Sequence, residues 1–368
     1  LIGRMLYDSK QIFQDQMDQL ETASKLRGEE TVNLALLTDG LRAEREQGIT
    51  IDVAYRYFST PERKFIVIDA PGHEQYTRNM ATGASVADLA VILIDAEHGV
   101  LPQTKRHSFI ASLLGIRHLV VAVNKMDLVG YDREIYEAIC EDYAGFAAKL
   151  DVSDLHFIPI SALRGDNVVD ESTQMPWYSG GPLLAYLERV HVASDRNLID
   201  LRFPVQYVMR PDRTFRGYAG TMASGILRKG SDVMVLPGGR RTRVSSVVTY
   251  EGEREEAFPP MSVTVTVEDN LDISRGDILV HTKNVPRIGR KIEAMLVWFH
   301  EKPLDFDSTY VVKHMGNLIP ASVGDLRYRI DVNELHKKEA DTLQLNDIGR
   351  ALVVLHRPIC YDPYDRNR

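Results

Sequence analysis

Three short polar strings hold the residue types that could do chemistry in this chain: Asp69-Ala70-Pro71-Gly72-His73, Asn124-Lys125-Met126-Asp127 and Ser161-Ala162-Leu163. Asp127 is a carboxylate that can accept from two adjacent donors, the arrangement guanine presents at N1–H and N2–H₂. Adenine has an acceptor at N1 and would leave the same carboxylate poorly paired. A pocket built on such bonds rejects the analogue lacking them by several orders of magnitude. Lys125 can lay its aliphatic stem across the base. Asn124 can tie the loop to neighbouring backbone or reach the other edge of the base, and the Ser161-Ala162 backbone offers an N–H to guanine O6. Any one string would read equally well as a buried strand ending in a polar turn; the three in this order favour a guanine site.

Asp69 stands where a strand-end aspartate holds magnesium, usually through water. Gly72 has no side chain to keep its N–H away from a γ-phosphate. His73 follows directly, where a residue must orient an attacking water, and an imidazole can accept at one nitrogen and donate at the other. Upstream, Arg45-Glu46-Gln47-Gly48-Ile49-Thr50 offers the Thr50 hydroxyl to magnesium and its N–H to the γ-phosphate. A contact that exists only with the triphosphate makes that loop a switch, released on hydrolysis. The candidate set is therefore His73 for catalysis; Asp69, Ala70, Pro71, Gly72, Asn124, Lys125, Met126, Asp127, Ser161, Ala162 and Leu163 for GTP or GDP; and Thr50 with Asp69 for Mg²⁺.

Each string ends an apolar run: Phe65-Ile66-Val67-Ile68, Leu119-Val120-Val121-Ala122-Val123, and Phe157-Ile158-Pro159-Ile160. Short continuous apolar strands belong to parallel sheets covered on both faces, and such sheets bind ligands at their carboxyl ends. The pattern predicts strands near 51–58, 65–69, 89–95, 118–124 and 156–160, with Ile51, Val53, Tyr55 and Tyr57 on one face of the first. Helices are predicted near 74–83, 103–114, 132–149 and 182–190, and Glu21 to Glu30 reads as a mobile polar stretch. From about Leu201 short alternating strands between glycine turns predict β-barrels. Examples are 205–208, 221–225, 232–235 and 262–267, then 291–299, 309–315 and 348–356. The expected architecture is an α/β P-loop-type GTPase domain, with helices on both faces of a parallel-rich sheet, over 1–195. Two β-barrel domains follow, over 196–285 and 286–368.

No G-x-x-x-x-G-K-[ST] string occurs, although such a loop normally cradles the phosphates. The chain opens on the helical Leu1-Ile2-Gly3-Arg4-Met5-Leu6. The expectation is that the phosphate loop lies before residue 1, and that a strand closing the last barrel lies beyond residue 368.

Taken together, Gly48-Ile49-Thr50, Asp69 to His73, Asn79-Met80-x-Thr82-Gly83, Gln103-Thr104-x-x-His107, Asn124 to Asp127 and Ser161 to Leu163 resemble the translation-factor class of GTPases, the elongation factor Tu group. Within it, the chain is similar to the GTPase subunit of bacterial ATP sulfurylase, the CysN-like sulfate adenylyltransferase subunit 1. Leu1 to Lys10, Ala43 to Gly48, Asp52 to Phe58, His73 to Ser85 and Gly165 to Val169 carry that likeness. Elongation factors usually have arginine where Gln47 stands; bacterial relatives often have threonine where Ala70 stands. The resemblance implies a partner, the small CysD-like catalytic subunit, which makes adenosine 5′-phosphosulfate and pyrophosphate from ATP and sulfate, driven by GTP hydrolysis here. It leaves open a nodulation-type role and a fused adenosine phosphosulfate kinase. The alternative is an elongation or termination factor that binds RNA and the ribosome.

The balance of 44 basic against 52 acidic side chains, formal net charge −8, gives no general pull toward nucleic acid or anionic membrane. The short basic run Arg240-Arg241-Thr242-Arg243 after Pro237-Gly238-Gly239 reads as the solvated arm of a hairpin. The only two cysteines, Cys140 and Cys360, lie far apart, which excludes a multi-cysteine zinc site and suits a reducing, cytoplasmic setting. No apolar run is long enough to span a bilayer.

Overall fold

The run from Leu119 to Val123 has no polar side chain to give to water, and it becomes the middle strand of a parallel sheet. The computed structural model describes residues 1–12, 14–26, 32, 34–37, 43–44, 49–192, 196–211, 215–364 and 366–367. Arg45 to Gly48, with Gln47, lie outside the described residues, as does the 27–30 part of the polar stretch. The rest of that stretch, Glu21 to Leu26, ends a helix rather than being irregular.

The first module contains α1 (Ile2–Asp8), α2 (Gln14–Leu26), β1 (Ala54–Ser59), β2 (Lys64–Asp69), α3 (Thr77–Ala84), β3 (Leu89–Asp95), α4 (Pro102–Leu113), β4 (His118–Asn124), α5 (Arg133–Ala147), β5 (Asp154–Pro159) and α6 (Leu183–Arg189). Strands β3, β4 and β5 pair in parallel in that order. Val120 and Ala122 of β4 pack with Met5 of α1 and with Leu183 and Leu184 of α6. Val121 and Val123 face the other way, onto Tyr136, Ile139 and Tyr143 of α5. Helices thus cover both faces, as the apolar runs require. Local signals start these helices: Pro102 sits in the first turn of α4, and the Asp132 carboxylate caps α5 by accepting from the N–H groups of Glu134 and Ile135.

One expectation needs correction. The Phe65-to-Ile68 run does not join the parallel strands: β2 pairs antiparallel with β1, from Ala54 opposite Asp69 to Ser59 opposite Lys64. Among the described residues no strand bonds to the second edge of β2 or of β3. Helix α1 holds the two sheets together instead, since Met5 shares one apolar cluster with Phe65, Val67, Leu89 and Val91. Tyr55 and Tyr57 do share one face of β1, and it is the outer one. They are 45% and 73% exposed, and their cross-strand neighbour Ile66 is 62% exposed. The inward face is Phe58, stacked on Phe65 at 4.7 Å between ring centroids, with half-buried Arg56 donating to Leu37 O.

The second module is one curled antiparallel sheet. Its path runs Phe203–Pro204, Ile278–His281, Asp232–Leu236, Arg240–Thr249, Ser262–Val267, Gly217–Thr221, Tyr207–Met209. The first and last strands of that path are joined by two residues of chain, so the sheet closes on itself as a barrel. The strand expected at 221–225 lies at Gly217–Thr221, two glycines included. A Cβ on Gly220 would come to 2.2 Å from Pro204 O, so only glycine lets the barrel close there. The Arg240 run is the exposed arm of a hairpin, with Arg243 paired to Asp232.

In the third module Arg287–Val297, Ile348–Tyr361, Asn317–Asp331 and Tyr310–His314 form the sheet in that order. The long strand Asn317–Asp331 was not expected. Register shifts between Val323 and Asp325, and between Leu326 and Tyr328, break its alternation, which hides it from a period-two reading. The second and third modules meet at a polar knot around buried Asp200 and Arg202. Arg202 donates to both Asp362 oxygens at 2.7 and 2.9 Å, and Arg366 to both oxygens of Asp200 at 2.6 and 2.9 Å. Among the described residues no helix is long and apolar enough to cross a membrane.

Candidate functional site

The end of β4 carries one half of the site. Lys125 has φ 66°, a left-handed turn that drives the next side chain inward. Met126 is fully buried in the core, and its N–H donates to Ile160 O at 3.2 Å. Met126 is therefore an anchor for the loop, and the sequence reading that placed it against a nucleotide is corrected to that extent. The anchor leaves Lys125 and Asp127 at the rim. Asn124 accepts the Ala162 N–H on its side-chain oxygen at 2.9 Å, tying the β4 loop to the β5 loop. Fully buried Ser161 donates its hydroxyl to Asp127 Oδ1 at 2.7 Å. One carboxylate oxygen is thereby fixed from behind, and the other stays available to a ligand. Ala162 N–H is engaged in this arrangement, whereas exposed Leu163 N–H has no protein acceptor among the described residues. Leu163 is then the better placed backbone donor for a base carbonyl.

A residue outside the three strings holds Lys125. Its ammonium lies 2.7 Å from Asp95 Oδ2, at the end of β3. That bond raises the lysine's pKa. Burial pushes the Asp95 carboxyl up, but donors from Lys125, the Glu97 N–H and His98 outweigh it and hold Asp95 below the ordinary carboxylate range. Asp95 ends an apolar strand just as Asp69 does, and that was the signal available for finding it.

The other half of the site follows β2. Asp69 is the last residue of β2 and is half-buried. Ala70 and Pro71 are half-buried and buried, and Gly72 and His73 are exposed. Among the described residues, its chain neighbours aside, no atom lies within 4 Å of where a Cβ on Gly72 would sit, so none of them demands glycine there. His73 caps the single 3₁₀ turn Glu74–Tyr76, with Tyr76 N–H donating to His73 O at 3.0 Å. Thr50 is held through its neighbours. Buried Glu44 accepts from the N–H groups of Ile51 and Asp52 at 3.0 and 3.2 Å, and Asn79 of α3 donates to Ile51 O at 2.8 Å.

Helix α1 connects the halves. Arg4 donates to Ala162 O at 3.2 Å and to Leu163 O, and it pairs with Asp8 at 3.3 Å. Contacts therefore run from Phe65 and Val67 of β2 through Met5 and Arg4 of α1 to the 161–163 loop, then through Asn124, Ser161 and Asp127 to Lys125 and Asp95. Arg4, Glu44 and Asp95 escape a motif reading because their partners are backbone groups or lie far along the chain. The arrangement can present a carboxylate and backbone N–H groups to a purine, and oxygen ligands to a hard cation beside an exposed imidazole.

Residues 1–201 match the family described as the elongation factor Tu GTP binding domain, and residues 291–368 match the GTP-eEF1A C-terminal domain-like family. Over its whole length the chain is 57% identical to the bifunctional enzyme CysN/CysC of Rhodopirellula baltica, of which it spans 58%. It is likewise 53% identical to sulfate adenylyltransferase subunit 1 of Bacteroides fragilis, of which it spans 78%. The CysN/CysC protein of Mycobacterium tuberculosis is 55% identical, and the chain spans 61% of it.

Proposed function

The chain belongs to the sulfate adenylyltransferase subunit 1 family, with a GTP-binding domain of the elongation factor Tu type, and we propose that it hydrolyses GTP to drive sulfate adenylylation by a partner subunit. The partner is the small, CysD-like catalytic subunit, which joins ATP and sulfate into adenosine 5′-phosphosulfate and releases pyrophosphate. The observation that carries the nucleotide half of this reading is the Ser161–Asp127–Asn124–Ala162 hydrogen-bond set, which fixes a carboxylate beside free backbone N–H at the ends of β4 and β5. Asp127 receives N1–H and N2–H₂ of guanine, Lys125 covers the ring, and Leu163 N–H meets O6.

Magnesium suits the donor set, since Asp69 and Thr50 offer the hard oxygens this ion prefers. When bound, it would neutralise charge between the β- and γ-phosphates. Gly72 leaves open space where a phosphate would approach its N–H, and His73 orients the water that attacks the γ-phosphate. Loss of that phosphate releases Thr50, and Asn79 and Glu44 pass the change to α3.

Full-length protein, co-purified with its partner, tests the proposal through sulfate- and ATP-dependent pyrophosphate release, with GTP and with a non-hydrolysable analogue. Release that requires hydrolysable GTP is the expected result. GTP hydrolysis with no sulfate-dependent product would move the assignment to a translation-type factor.

A further inference from the structure

The third module reaches across to the residue next to His73. Asn346 is 6% exposed and has φ 65°, a left-handed conformation in which glycine is least strained. Asparagine brings what glycine cannot: its side-chain amide donates to Glu74 O at 3.1 Å, across 272 residues of sequence. Its own N–H donates to Trp298 O at 2.7 Å, which seats it on the sheet of its module. Glu74 O also accepts from the Thr77 hydroxyl at 2.7 Å and from the Thr77 N–H, both within the turn, so Asn346 adds the bond that comes from another module, and the Glu74 carboxylate pairs with Arg106 of α4. Arg106 in turn donates to Gln103 Oε1 at 2.9 Å. Gln103 bonds His107 Nε2 at 2.7 Å; burial pushes His107 down to about 4, so the ring stays neutral and accepts there. Beneath these bonds Met80 of α3 and Ile110 of α4 pack on Met295, Phe299 and Ile348.

We propose that Asn346 is a positioning residue for GTP hydrolysis: by holding Glu74 O it fixes the turn that presents His73, so turnover depends on the third module being docked on α3 and α4. Asn346 acts through the backbone of residue 74. The inference rests on the reading of His73 as the residue that orients the attacking water.

The test compares N346G, N346D and H73A in the full-length protein by single-turnover GTP hydrolysis, with GDP and GTP affinities from fluorescent nucleotides. Glycine keeps the backbone conformation and removes only the side chain; aspartate keeps the shape and removes the donor. Both Asn346 variants should slow hydrolysis about 10- to 10²-fold, the scale of a small misplacement at a reacting centre, with affinities within about two-fold of the natural protein. H73A should slow it at least as much. Slow H73A with both Asn346 variants at the natural rate overturns the inference and leaves the His73 reading standing. Normal turnover in H73A overturns that reading, and the inference with it. A loss in N346G but not in N346D, or equal losses in affinity and rate, also overturns the inference, because either pattern reports packing rather than the amide bond.

Discussion

Asp127→Asn tests the base-reading geometry directly. In the structure Ser161 Oγ donates to Asp127 Oδ1 at 2.7 Å. An asparagine there keeps an oxygen for that hydroxyl, so Ser161 turns the amide with its NH₂ toward the base. Guanine then loses two bonds to a charged acceptor, worth about 1.5–3 kcal/mol each, or about 3–6 kcal/mol in sum. At about 1.4 kcal/mol per decade, GTP affinity should fall about 10²- to 10⁴-fold. Xanthine carries a carbonyl where guanine carries its 2-amino group, so the inverted amide should bind xanthosine triphosphate better than GTP. Competition between fluorescent GDP and the two triphosphates measures this. Adding Ser161→Ala to Asp127→Asn removes the hydroxyl that orients the amide, and the xanthine preference should shrink. Guanine affinity within a few-fold of the natural protein in Asp127→Asn would refute the assignment. A preference unchanged by Ser161→Ala would refute the orienting role of the serine.

Arg4→Met removes the donors on Ala162 O and Leu163 O while keeping much of the side-chain volume. GDP affinity should fall about 10-fold, equivalent to about 1.4 kcal/mol, by calorimetric titration; unchanged affinity would separate α1 from the base loop. At the knot between the second and third modules, burial pushes the Asp200 carboxyl up, but donors from Asn197, Asn284 and Arg366 outweigh it and hold it at about 2, against an ordinary 3.8. That depression corresponds to about 2 kcal/mol of stability, present above the unfolded-state value and lost as pH falls from about 4 toward 2. Asp200→Asn should therefore cost about 2 kcal/mol in urea unfolding at pH 7, with the gap to the natural protein narrowing below about pH 4. A gap that widens on acidification would contradict the sign.

How far the sequence could be read depended on where each partner lies. Apolar runs ending in Asp69, Asn124 and Ser161 are local, and they mark β2, β4 and the end of β5 without any knowledge of the rest. Asp132 and Pro102 likewise announce the helices they start. Tyr55 and Tyr57 alternate onto one face as read, but which face of β1 turns inward is not local: the inward one carries Phe58 and Arg56, whose aliphatic stem can be covered as its head finds Leu37 O. Bulges concealed Asn317–Asp331 by shifting its period. Met126 looked like part of a ligand loop because it stands between two rim residues, and only the left-handed Lys125 turns it inward. Asp95 showed only as the end of an apolar strand, and Arg4 and Asn346 gave no local sign at all: what defines each is a group met only after folding.

Those distant partners also set an order of events during synthesis. Arg4 meets carbonyls 158 and 159 residues later, Glu74 meets Asn346 after 272, and Asp200 meets Arg366 after 166. A ribosome extending the chain at about 5–20 residues per second leaves α1 without its 162–163 seat for roughly 8–30 s. During that interval Leu1, Met5 and Leu6 have neither Ile160 nor Leu183 to pack against. Over that interval α1 can be covered only by partners made earlier, Phe65, Val67, Leu89 and Val91, and its Arg4 contacts come last. The turn bearing His73 waits longer still, so a nascent chain stalled before residue 346 would leave Glu74 O without the Asn346 amide.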